Sequence, residues 1–131
     1  MKGKYLIISV LFIMSLTLAG CKGDKSDLES YIDNNPTAKT NIEQTVSGMS
    51  TEDMETNISF EGNTVVVTET LNTTYSDRMA KKMKEMLEEM PEDSFSGAIG
   101  DLEKASGITG ISLKIILKNG DGTDITERSY R

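Results

Sequence analysis

Residues 54–71 read METNISFEGNTVVVTETL, and within them Met54, Thr56, Ile58 and Phe60 alternate with Glu55, Asn57, Ser59 and Glu61. That is the period of a strand with one face buried. Gly62-Asn63 then falls where a two-residue hairpin loop needs positive φ. Closing the hairpin there sets Phe60 against Val65, Ile58 against Val67, Thr56 against Glu69 and Met54 against Leu71. The apolar residues of both strands share one face, and Glu55, Asn57, Ser59, Val66, Thr68 and Thr70 share the other. A slip of one residue would turn every side chain over, so the register is strongly specified.

Downstream the period becomes helical. Met79, Met83, Met86, Leu87 and Met90 form one stripe, opposed by Lys81, Lys82, Lys84, Glu85, Glu88 and Glu89, with Ser76 placed as N-cap. Phe95, Ile99 and Leu102 resume the stripe after Pro91. Pro91 removes an amide donor, so it kinks this long helix or breaks it, with Pro91 then in the first turn of a new helix that Gly107 ends. A second hairpin follows: Ile111, Leu113, Ile115 and Leu117 alternate with Ser112, Lys114, Ile116 and Lys118, and Asn119-Gly120-Asp121-Gly122 turns the chain. A three-residue loop with Gly122 left-handed places Ile125 opposite Leu117, and the polar return strand to Tyr130 belongs at an edge.

Upstream, Ser26 to Glu29 has capping-box spacing ahead of Leu28, Tyr31 and Ile32, and Asn34-Asn35-Pro36 closes this first short helix. Ala38, Ile42, Val46 and Met49 mark a second. The expected class is α+β: short N-terminal helices, a hairpin, a long or Pro-kinked helix and a hairpin, with a four-stranded, mainly antiparallel sheet packed on the helix.

The first 20 residues stand apart. Lys2 and Lys4 precede an apolar run from Tyr5 to Leu18, a length that fits a cleaved signal better than a membrane span. Leu18-Ala19-Gly20-Cys21 matches the bacterial lipobox, and the only Cys of the chain occupies the one position that motif requires. The reading is a signal peptide over 1–20 cut between Gly20 and Cys21, a lipidated tether over 21–27, and one domain over 28–131. Two or three acyl chains on Cys21 would hold the protein stably at the cell membrane, facing outside the cytoplasm.

Composition excludes other roles. The 131 residues include no His and no Trp, which closes imidazole catalysis and His-ligated metal sites, and one Cys forbids an intrachain disulfide. Beyond residue 20 there are 12 basic and 21 acidic side chains, a balance that opposes nucleic-acid binding.

The lipobox, Leu28-Glu29-Ser30-Tyr31-Ile32, Met49 to Met54, Glu61-Gly62-Asn63-Thr64, Leu102-Glu103 through Gly107-Ile108, and Asp121-Gly122-Thr123 occur in an order that resembles a domain-of-unknown-function family of small lipoproteins from low-GC Gram-positive bacteria. The resemblance covers the whole chain and transfers no catalytic residue. It implies an extracytoplasmic lipoprotein, with an uninterrupted central helix from which Pro91, Gly97 and Gly100 depart here.

Four features bear on function. Met79, Met83, Met86 and Met90 have the spacing to present thioethers to Cu(I) or an adaptable surface to a partner, but the expected reading is that they fill a core between helix and sheet. Asn119 to Asp124 resembles a calcium loop but puts Leu117 and Arg128 where carboxylates are required. Glu52-Asp53, Glu88-Glu89 and Glu92-Asp93 could serve a wall-modifying hydrolase only if two carboxyls met across a cleft. Val66, Ile116 and Tyr130 make a small apolar spot on the outer sheet face. The expected role is a non-enzymatic module, without cofactor, that binds an envelope protein or peptide. Cu handling through the Met helix is the alternative and wall hydrolysis a weaker one.

Overall fold

A computed structural model describes residues 27–48 and 54–130. The expected signal segment, Gly20, Cys21, most of the tether, Ser26, Met49 and Glu52-Asp53 lie outside the described residues. Eight elements follow in order: α1 (Leu28–Asp33), α2 (Pro36–Gly48), β1 (Met54–Glu61), β2 (Thr64–Leu71), α3 (Asp77–Glu89), α4 (Ser96–Ser106), β3 (Ser112–Lys118) and β4 (Asp124–Tyr130). This is the α+β class expected from the sequence.

The first hairpin has the register that its alternation dictates: Met54 faces Leu71, Thr56 faces Glu69, Ile58 faces Val67 and Phe60 faces Val65. Gly62 takes the turn at φ 59°. The strands lie in the order β1-β2-β3-β4. Two antiparallel hairpins are joined through a parallel β2–β3 pair, in which Val65, Val67 and Glu69 meet Leu113, Ile115 and Leu117. The intervening α3 and α4 form the crossover that parallel neighbours require. One core holds residues from all four helices, among them Leu28, Ile42, Leu87 and Leu102, together with Val65, Val67, Leu113, Ile115 and Tyr130 of the sheet. The described helices therefore cover a single face of the sheet.

Local chemistry accounts for the helix ends. The cap of α1 is Asp27, one residue later than the capping-box spacing suggests; its Oδ1 accepts from the Ser30 amide at 2.7 Å. Asp27→Ala is expected to lower stability by about 1 kcal/mol, read as a shift in the urea midpoint. Pro36 opens α2, where a missing amide proton costs nothing. Ser76 caps α3 through the Met79 amide at 3.4 Å, and Gly107 ends α4 at φ 75°.

Three expectations change. Pro91 breaks the long helix but does not start the next one, because α4 begins at Ser96. Met90 takes ψ 132°, the extended conformation that a following proline imposes. Turn bonds from Ser94 to Pro91 and from Ser96 to Asp93 then carry the chain round Phe95. Phe95 is fully buried and meets the Tyr130 ring edge-on at 4.8 Å. Second, β4 is an edge strand as its polarity suggests, but Thr126, not Ile125, faces Leu117. The register shifts between Leu117 and Lys118, and Ile125 is the extra residue of a bulge. Third, Tyr130 lies on the inner face, because it pairs with Leu113 of the core.

Candidate functional site

The side chains of α3 do not fill the core as a Met stripe would. Leu87 is buried, whereas Met79 and Met86 are 46% and 47% exposed; Met83 is half-buried, and Met90, half-buried too, packs against the core. On a helix Leu87 lies about 80° round from Met79. The helix is rolled so that its buried edge runs along Leu87, and the Met side turns outward. What sets the roll is the edge strand: Arg128 donates to the carbonyls of Leu87 at 2.8 Å and Glu88 at 2.6 Å, and the Tyr130 hydroxyl donates to Leu87 at 3.3 Å. These bonds satisfy carbonyls that the end of a helix leaves open. The expectation that these methionines form core therefore fails for Met79 and Met86.

Charge on α3 is segregated along its length. After Asp77 in the first turn, Arg78, Lys81, Lys82 and Lys84 occupy the N-terminal half, and Glu85, Glu88 and Glu89 the C-terminal half, which holds no cation. Asp77 apart, this opposes the helix dipole, which favours anions at the N-terminus and cations at the C-terminus. One exposed pair, Lys84 to Glu88 at 3.9 Å, relieves part of it. Among the described residues Arg78, Lys81, Lys82, Glu85 and Glu89 make no ion pair, and all five are exposed.

Other candidates are occupied by structure. A groove of about 590 Å³ between α4 and the loop before β3 is lined by Ser96, Ile99, Glu103, Gly110, Ile111 and Ser112. Its carboxylate is already engaged, since Glu103 Oε2 accepts from the amides of Gly110 at 2.7 Å and Ile111 at 3.2 Å. In the Asn119–Asp124 segment the Asp121 carboxylate accepts from the Thr123 hydroxyl and amide, which hold it below the usual carboxylate range. The Asn119 side chain turns inward to Tyr75. Among the described residues no cluster of three acidic or Cys side chains could hold a metal. Glu88, Glu89, Glu92 and Asp93 are all exposed.

On the outer sheet face Val66 is 3% exposed and Ile116 is half-buried, so the apolar spot expected there presents little surface. The alternation places Glu69 inward, and it is 5% exposed with Oε1 unpartnered. Burial pushes its pKa up to about 7. Its pairing with Thr56 on the otherwise apolar face of the first hairpin is the sequence signal for this position.

Residues 28–130 match the model of a domain of unknown function (DUF4854). The chain belongs to this family. No curated protein and no solved structure matches it. The DUF4854 match begins at α1 and ends with β4, so it includes every described element and leaves the lipobox outside. Among the described residues of this DUF4854 chain no helix is long and apolar enough to cross a membrane.

Proposed function

We propose that this chain is a bacterial lipoprotein, anchored through Cys21 at the outer face of the cytoplasmic membrane, and that it works by binding a protein or peptide without chemistry of its own. The anchor is supported by Leu18-Ala19-Gly20-Cys21, in which the chain's single Cys sits at the modified position. The domain begins immediately after the tether: the Leu28 amide donates to Asn63 Oδ1 and the Glu29 amide to the Gly62 carbonyl, each at 2.9 Å. The Ser112 amide donates to the Asn63 carbonyl at 3.0 Å. The chain thus enters at one end of the sheet, beside the first turn.

The observation that carries the binding role is the half-exposure of Met79 and Met86 on a helix whose core position is filled by Leu87. Large apolar side chains left outside a core, on one face, suit contact with a partner, and Met adapts to varied surfaces. Copper(I) is a poorer fit to this face, because the cations of the first two turns repel a metal ion.

Two measurements test the reading. A labelled fatty acid fed to cells is expected in the wild-type protein and absent from Cys21→Ser; label retained in that variant would refute the anchor. Crosslinking in intact cells is expected to trap an adduct that Met79→Lys/Met86→Lys loses, and an adduct unchanged by those substitutions would refute the Met face as the binding surface.

A further inference from the structure

Resting on the Met face of α3 as the binding surface, we propose that its partner is a second copy of this chain, whose own α3 packs antiparallel against it. The face is self-complementary in that orientation only. The two-fold point lies between Lys84 and Glu85, so Met79 of one copy meets Met90 of the other and Met83 meets Met86. The same operation lays the basic half of each helix along the acidic half of its neighbour. Lys82 and Glu89 are seven residues apart and share the solvent flank of the Met face. In the pair, Lys82 of each copy comes within about 3 Å, along the axis, of the level of Glu89 in the other.

Antiparallel pairing turns the unfavourable charge order of α3 into an attraction, and it uses cations and carboxylates that are exposed and unpaired within the described residues. A parallel pair would instead bring Lys against Lys and Glu against Glu. Isologous contact through one patch is the commonest form of assembly. A helix of 13 residues is about 20 Å long, so the contact is smaller than the roughly 1,200 Å² of a standard interface and the pairing is concentration-dependent. Confinement to a membrane raises local concentration and would favour it.

The test is disulfide trapping with the full chain in a Cys21→Ser background, so that neither lipid attachment nor its thiol enters the result. Co-expressed Met79→Cys and Met90→Cys chains are expected to oxidise to a mixed dimer, while Met79→Cys alone remains monomeric because its two copies lie about 16 Å apart along the axis. Dimer from Met79→Cys alone at equal yield would overturn the antiparallel register, and no crosslink in either sample would overturn the pairing. Surface charge gives an independent readout on a chain without added Cys. Lys82→Glu is expected to weaken association about tenfold by sedimentation. Lys82→Glu/Glu89→Lys should restore it; equal association by all three chains would overturn the charge pairing. The fatty-acid labelling above reports on the anchor separately, so loss of self-pairing and loss of the lipoprotein reading are distinguishable.

Discussion

Replacing Glu69 with Leu is expected to raise the stability of the domain above pH 7 by about 3 kcal/mol and to remove most of its loss of stability between pH 4.5 and 7. Glu69 lies on the inner face of β2, between Thr56 of β1 and Leu117 of β3. Burial alone raises its pKa from 4.5 to about 7. An acid with a raised folded-state pKa binds more protons in the folded chain than in the unfolded chain between those two values. The contribution of Glu69 to stability is therefore most favourable below pH 4.5, falls as pH rises, and levels off above pH 7, where Oε1 of the folded-state carboxylate has no partner. Leu fills nearly the same volume without that cost. Glu69→Gln should flatten the same slope while leaving a buried amide, so the two variants separate charge from polarity. Urea unfolding at a series of pH values measures both effects. A slope that survives in Glu69→Gln would mean that another group causes it.

The inward position of Glu69 was legible in the sequence, and its consequence follows from the hairpin that carries it. Period-two alternation and Gly62-Asn63 fix which residues of β1 and β2 share a face before any tertiary contact is known. The neighbour of β2 on its other side was not legible in that way. Only the uninterrupted Val65-Val66-Val67 run, with Val66 buried on the outer face, marks β2 as a central strand with parallel pairing to β3. The break near Pro91 was visible as a missing amide. Its extent was not, because it is set by the burial of Phe95 against Tyr130.

The candidate surface was half legible for a similar reason. A helical stripe tells which residues lie together on α3, and Met79, Met83 and Met86 do, with Met90 at its C-cap. It does not tell how far the helix is rolled about its own axis. That depends on Arg128 and Tyr130, some forty residues away, reaching the Leu87 and Glu88 carbonyls. Charge order along α3 could be read directly, and it acquires meaning only once the Met side is known to face outward. The bulge at Ile125 had no local signal, since Asn119 to Thr123 specifies the turn and not the pairing beyond it.

Gly120→Ala is expected to destabilise the domain by about 3 kcal/mol, at the upper end for one added methyl group. The reason is steric and does not involve a left-handed backbone, since Gly120 is not among the glycines with positive φ. A Cβ at this position would stand 2.5 Å from Thr73 C and Thr74 N and 2.9 Å from the Thr73 carbonyl oxygen. All three are backbone atoms, so no rotamer change relieves the contact. The two segments are held this close by the neighbouring side chain. Asn119 Oδ1 accepts from the amides of Tyr75 at 2.7 Å and Gly120 at 2.9 Å, and Nδ2 donates to the Tyr75 carbonyl at 3.0 Å. With Asn119 only 7% exposed, forcing the two segments apart would leave these groups unpaired in the interior. Asn119→Ala should therefore cost about 2 to 3 kcal/mol, and the double variant less than the sum, because both changes open the same clamp. Gly97 provides the contrast: it lies in α4 with open space about its Cβ position, and Gly97→Ala should stabilise by about 0.5 to 1 kcal/mol. Urea midpoints for the four variants test the scheme. A Gly120→Ala protein within about 1 kcal/mol of wild type would show that the Thr73–Thr74 segment yields, and additive losses would show that Asn119 and Gly120 act independently.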